Sequence, residues 1–240
     1  VALALRSGAD LLAAGQVERV AALAADLEPQ VRDPATRADV RRLRGGAALR
    51  AGRLTEGYDL LVAGAHAVRD VDAGRAVHML MEAALAHTIT ADQRALERTA
   101  REALELAQAS GDAPGAAATA LLLGEALACI GRRDEAVVLL EAGDPVVTLG
   151  MASPVPELAG LAAHAWAWLE RFDRAEEIAD RLVRECREAA APGQLVYPLA
   201  VRSQIAVRRG RWAAARADGE EALALAGAVG PGLHVLYAMA

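Results

Sequence analysis

Apolar positions along this chain recur with the period of a helix. Leu96, Ala100, Ala103, Leu104 and Ala107 follow i, i+4, i+7, i+8, i+11 and make one continuous face. Ala175, Ile178, Ala179, Leu182, Val183 and Cys186 repeat the same spacing further on. Opposite the first face, Glu97 stands four residues before Arg101 and Arg98 four before Glu102, pairs that each add roughly a few tenths of a kcal/mol to a solvated helix. Strand-like alternation is nearly absent. Pro29, Pro34, Pro114, Pro154, Pro156, Pro192 and Pro231 fall between the amphipathic stretches, where proline opens or ends helices. Residues 144–150 fit this pattern least and read as a short extended or irregular link.

The helical stretches are organised by a recurring turn. Ala14-Gly15-Gln16, Ala51-Gly52-Arg53, Ile130-Gly131-Arg132, Leu169-Glu170-Arg171 and Arg209-Gly210-Arg211 each separate an alanine-rich stretch from an amphipathic one, and Thr90-Ala91 fills the one missing step. The interval is roughly 39 residues, in the range of helix-pair repeats. Seven positions before each turn stands a small residue: Gly8, Gly45, Ala83, Gly124, Ala163 and Ser203. After the turn the small column continues with Gly57, Ala95, Ala136, Ala175 and Ala215. Small side chains at such positions let paired helices approach closely while larger apolar residues fill the space alongside. This pattern resembles the tetratricopeptide repeat, lengthened by about five residues per unit. It predicts an all-α, tetratricopeptide-like helical-hairpin solenoid, an α-α superhelix of about six pairs forming a single domain over residues 1–240. Residues 231–240 read as an unpaired terminal helix, the first of a seventh pair, and its open apolar face is expected to favour a homodimer.

Composition narrows the chemistry. Of 240 residues 54% are hydrophobic, 24% charged and 3% aromatic, with a formal net charge of -6, which excludes disorder. No charge-free run reaches the roughly 18 apolar residues of a membrane span, so no membrane partner is expected. Alanine supplies about a quarter of the chain, and lysine is missing altogether. Without lysine, neither a P-loop nor Schiff-base chemistry can be built from these residues. The two cysteines, Cys129 and Cys186, are far apart and outside any CxxC motif, which points to a reduced, cytoplasmic setting. An acidic chain without a basic block is not expected to bind nucleic acid directly.

The glycine-arginine turns, together with phrases such as Gly210-Arg211-Trp212-Ala213-Ala214-Ala215-Arg216 followed by Glu220-Glu221-Ala222-Leu223-Ala224-Leu225-Ala226, resemble the helical-repeat sensor region of MalT-like, large ATP-binding LuxR-type bacterial transcription regulators. The alanine- and arginine-rich composition matches such regulators from high-GC actinobacteria. The resemblance spans essentially the whole chain but only the middle region of those proteins. It implies a piece of a longer regulator, with an ATPase module before it and a helix-turn-helix after it. Neither hallmark occurs in these residues. What is implied for them is a non-catalytic sensor or interaction domain without cofactor. It would bind a small-molecule effector or a protein or peptide partner, which shifts the regulator between inactive and active arrangements. The alternative reading is a free-standing tetratricopeptide-like adaptor.

Catalytic and metal constellations are not apparent. His66, His78, His87, His164 and His234 form no HExxH motif, and Ser7, Ser110, Ser153 and Ser203 lie in no GxSxG context. A binding groove is the better expectation, lined in a solenoid by the first helices of the pairs. The position following the small column is Gly46, Ala84, Glu125, His164 and Gln204, polar in three consecutive units, where an inward position would favour apolar residues. Tyr197, two turns before Gln204, His87, one turn after Ala84, and Arg42, one turn before Gly46, are placed on the same surface. Water-facing polar positions are the plain alternative for all six. Trp166 is expected in the core, Trp212 wedged against the preceding pair, and Trp168 partly exposed.

Overall fold

The computed structural model describes residues 2–13, 16–153, 155 and 157–229. Among these residues there are thirteen α-helices, two 3-10 turns and no strand. Twelve of the helices form six hairpins: α1 (Ala2–Ala13) with α2 (Val17–Leu27), α3 (Pro34–Arg50) with α4 (Leu54–Val68), α5 (Ala73–Thr90) with α6 (Gln93–Ser110), α7 (Ala113–Cys129) with α8 (Arg133–Ala142), α10 (Glu157–Trp168) with α11 (Phe172–Glu188), and α12 (Pro192–Arg208) with α13 (Trp212–Val229). The remaining helix, α9 (Asp144–Leu149), links the fourth and fifth hairpins.

The recurring turn has a physical cause. Gly52, Gly131 and Gly210 adopt φ of +77°, +86° and +72°, the left-handed conformation that closes a helix and that glycine reaches without a Cβ penalty. The next residue donates its backbone N–H five residues back: Arg53 to Ala48 O at 2.9 Å, Arg132 to Leu127 O at 2.8 Å, Arg211 to Ala206 O at 2.8 Å. These are Schellman closures, which satisfy carbonyls the helix end would otherwise orphan. The arginine then turns to the second helix. Arg53 Nε donates to Glu56 at 2.9 Å and Arg132 Nε to Glu135 at 2.8 Å, so one residue ends a helix and braces the next. Ala91 and Glu170 take the left-handed position in the two turns without glycine, at φ of 55° and 61°. Several helix starts are capped by aspartate: Asp33, Asp72, Asp92 and Asp112 accept from the N–H of Thr36, Arg75, Ala95 and Gly115 at 2.8 to 3.0 Å.

The small column is where the two helices of a hairpin touch. A Cβ on Gly57 would stand 2.9 Å from Gly45 O and 2.7 Å from Leu49 Cγ, and one on Gly124 would stand 2.9 Å from Leu140 Cγ. In the sixth hairpin the crossing is bonded, with Ser203 Oγ donating to Ala215 O at 2.7 Å.

The described helices fall into two compact units, residues 1–119 and 120–240. In the first, α1 packs on α3 and α3 on α5, while α2 meets α3 and α4 meets α5, the stacking order of helix-pair repeats. Its core centres on Leu61, Val68, Met79 and Leu80. In the second unit α10 packs on α12 and α11 on α12, with Val183, Cys186, Leu195 and Leu199 buried between them.

The expected irregular link at 144–150 is helical instead. Pro145 sits in the first turn of α9, where a missing N–H costs nothing, and a 3-10 turn over Gly150–Ala152 follows. Glu185 of α11 accepts the Met151 N–H at 2.9 Å, and Arg181 reaches Val147 O, tying the link to the fifth hairpin. The expected terminal helix at 231–240 lies outside the described residues.

Candidate binding face on the first helices

The row after the small column contains a buried pair. Glu125, on α7, is 0% exposed, and its Oε1 lies 2.7 Å from Nδ1 of His164 on α10. Burial of a carboxylate is costly unless a donor faces it, and the imidazole supplies one. Glu125 Oε1 also accepts from the Cys129 thiol at 3.8 Å, one helical turn along α7. Its Oε2 has no hydrogen-bond partner among the described residues. Gln204 holds the equivalent position on α12 and is half-buried.

A second row lies one turn further on. Cys129, Trp168 and Arg208 each follow a member of the first row by four residues, the spacing that stacks side chains on one helix face. Trp168 Nε1 donates to His164 Nε2 at 2.9 Å, and the guanidinium of Arg208 lies 4.3 Å from the indole centroid. Arg208 also donates to Ala167 O at 3.2 Å, while Arg133 of α8 donates to Leu169 O at 2.8 Å. Arginines from the hairpins on either side therefore meet the C-terminal carbonyls of α10, where cations oppose the negative end of the helix dipole. Trp168 is 42% exposed, as expected from the sequence. The second row escaped the sequence reading; applying i+4 to each member of the first row finds it.

The other candidates are placed elsewhere. Tyr197 is 3% exposed, and its ring occupies the slot left by the missing Cβ of Gly160, where a methyl would lie 2.6 Å from Cε1. It belongs to the packing between α10 and α12 and does not join the polar row. His87 is half-buried with its ring centroid 4.6 Å from that of Tyr58, whose hydroxyl lies 3.3 Å from Thr99 Oγ1. Burial pushes the His87 pKa down, against the pull of Asp92 and with the help of Arg98. It lies among α4, α5 and α6. Arg42 is engaged by Glu82 of α5 at 2.6 and 2.8 Å, with His78 Nε2 3.5 Å from the same carboxylate. Burial raises the Glu82 pKa, but the bonds from His78 and Arg42 outweigh it and hold the group below the ordinary value. Trp212, expected to wedge into the preceding pair, is 68% exposed, and Trp166 is buried as expected.

Nucleophilic chemistry is not what these groups are arranged for. Burial, reinforced by the Glu125 carboxylate, pushes the Cys129 thiol well up, against the opposing effect of Arg208. An activated thiol needs the reverse, a cation or helix N-terminus beside it. No group of three His, Cys, Asp or Glu side chains among the described residues is arranged to hold a metal ion. No helix among them is long and apolar enough to cross a membrane.

Helical hairpins stacked first helix on first helix, with small residues at each crossing, define a tetratricopeptide-like repeat protein. Solved structures agree. The chain is similar to NprR in complex with its cognate peptide NprX, with a TM-score of 0.64 and 12% identity over 97% of this chain and 68% of that one. It is similar to a Rap protein complexed with competence and sporulation factor, at 0.61 and 12% over 95% and 76%. It also resembles PH0952 from Pyrococcus horikoshii, a signal transduction ATPase with numerous domains and a tetratricopeptide repeat sensor, at 0.60 and 14% over 98% of this chain and 40% of that one. At these identities the likeness establishes the fold. No family model and no curated protein sequence matches the chain.

Proposed function

We propose that this chain is a non-catalytic sensor or interaction region of a LuxR-type transcription regulator. In this reading residues 1–240 form one helical-repeat domain in a cytoplasmic protein. The domain binds a peptide or small-molecule effector on the exposed face of its first helices. The observation that carries the reading is the exposed pair Trp168 and Arg208, held from behind by His164 and the buried Glu125. A polar, aromatic and cationic set held by first helices is what a recognition surface requires and what a packing surface avoids. One of the similar structures holds its cognate peptide, a second holds competence and sporulation factor, and a third is a signal transduction ATPase with a tetratricopeptide repeat sensor, which supports a peptide as occupant and a regulator as context.

The adaptor reading is supported by the likeness to the tetratricopeptide-like repeats of a Podosopora anserina kinesin light chain, with a TM-score of 0.55 and 14% identity over 81% of this chain and 97% of that one. Thermal unfolding of the purified chain against a peptide and metabolite collection tests the shared claim. A ligand present at a hundred times its Kd stabilises the folded state by about 2.7 kcal/mol. A full-length protein that responds to effector while this chain never shifts would move sensing elsewhere.

A further inference from the structure

We propose that Trp168 and Arg208 form the anchor for a carboxylate group of the bound peptide, with Glu125 and His164 as positioning residues behind them; this rests on the peptide-binding reading above. The argument begins with how these side chains are held. The indole of Trp168 is fixed at its edge by His164, and His164 is fixed by the buried carboxylate of Glu125. Arg208 is fixed twice, by stacking 4.3 Å from the indole centroid and by donation to Ala167 O. Both groups remain open to solvent while their rotamers are set, so little side-chain entropy is left to lose when a partner arrives.

Charge separates Arg208 from three other first-helix arginines. Arg42, Arg75 and Arg202, on α3, α5 and α12, are each matched by a carboxylate, from Glu82, Asp39 and Asp218 respectively. Arg202 is saturated in the bidentate manner, with Asp218 at 2.6 and 2.7 Å. Among the described residues no carboxylate pairs with Arg208, and one of its nitrogens donates, to Ala167 O. Along the chain of contacts, two hydrogen bonds and an aromatic ring separate it from Glu125. A planar fork with donors to spare fits a carboxylate in two-point fashion. A single guanidinium balances a single negative charge, which favours a carboxylate over a doubly charged phosphate. The exposed part of the indole offers apolar contact to the residue that carries the carboxylate.

The carboxylate can be a peptide's own C-terminus or an Asp or Glu side chain, and one experiment separates them. The immobilised chain is exposed to two random heptapeptide pools, one with free carboxyl termini and one amidated, and retained peptides are sequenced by mass spectrometry. The comparison includes Arg208→Gln and, as a charge-matched control, Arg216→Gln on the exposed face of α13. The expected result is enrichment of Asp and Glu in the amidated pool, or retention of free-acid peptides alone. Either bias is lost in Arg208→Gln and kept in Arg216→Gln, and an enriched peptide binds Arg208→Gln roughly tenfold more weakly. The Trp168 Nε1–H resonance moves on peptide addition. His164→Gln, which can both accept from the indole and donate to Glu125, retains the preference, whereas His164→Ala weakens it. Peptides retained without acidic bias, or with a bias indifferent to Arg208, overturn the anchor and leave peptide binding standing. If neither pool is retained, the peptide reading itself falls and the anchor with it.

Discussion

His164 Nδ1 stands 2.7 Å from Oε1 of Glu125, a carboxylate wholly shut off from water. The third member of the chain assigns the proton. Trp168 Nε1–H is a donor only, so the His164 Nε2 it contacts at 2.9 Å must accept, and the ring hydrogen sits on Nδ1, donating to Glu125. One imidazole thus joins a buried acid on α7 to an exposed aromatic on α10, and only one tautomer does so.

Removing the imidazole leaves that acid without its principal donor. His164→Ala is expected to lower unfolding stability by about 2–3 kcal/mol, the range for losing a hydrogen bond to a buried charged group. His164→Gln should lose less than half as much, because its amide can make both contacts. Urea titrations of the two variants and the parent check this; equal losses would show that packing, and not the hydrogen-bond chain, sets the cost.

The small column supplies a second test, in which one substitution has opposite signs at two places. At Gly57 a Cβ would meet Gly45 O at 2.9 Å and Leu49 Cγ at 2.7 Å, so Gly57→Ala forces the fourth helix off the third and costs about 1–3 kcal/mol. At Gly227 on α13 a Cβ meets nothing within 4 Å, and the helix favours alanine. Gly227→Ala is expected to stabilise by up to about 1 kcal/mol. Thermal melts of both variants decide; destabilisation at both sites would detach the column from close helix approach.

These two examples show what a sequence reveals. The column was legible because close approach of two helices admits only small residues, at whatever depth they lie. The polar row at Glu125 and His164 was legible as polar positions at a constant stride, but the expectation that such a row faces a groove fails for Glu125, which the structure buries completely against His164. Their mutual hydrogen bond was not legible, since it depends on how α7 and α10 cross. The partial exposure of Trp168 was legible too, but its company was not: nothing in the residue types alone marks Cys129 or Arg208, and only stacking of the hairpins brings the three together. Tyr197 was misplaced because the slot it fills exists only through the absence of a side chain at Gly160. The Val-Val-Thr run after Pro145 has strand propensity, and tertiary bonds from Arg181 and Glu185 override it.

His87 makes acid sensitivity predictable. Burial depresses its pKa in the folded chain, with Asp92 opposing and Arg98 assisting, so the unfolded chain takes up this proton first. The sign follows from linkage: the neutral ring favours folding above the unfolded value of about 6.5, and that stability is lost as pH falls through it. The parent chain should lose urea stability between neutral and mildly acidic pH more steeply than His87→Phe. Parallel pH profiles would show that the ring titrates in the fold as it does in the open chain.

Thiol chemistry reports on the second unit directly. Burial, with the neighbouring Glu185 charge, pushes the Cys186 thiol up to about 11, and burial with Glu125 pushes Cys129 up as well. The thiolate is the reactive form, and at pH 8 both groups are held as thiols, Cys186 buried and Cys129 half-buried. A disulfide reagent added to the native chain at pH 8 is therefore expected to release almost no colour over minutes, and to titrate both free cysteines at once in urea. Cys186 reacts natively only when its hairpin opens, and Cys129 is slowed chiefly by its raised pKa. Fast native labelling of Cys129 would show that the Glu125 carboxylate does not hold its thiol protonated, and His164→Ala, by removing the bond between α7 and α10, is expected to change labelling at Cys129 and leave Cys186 unchanged.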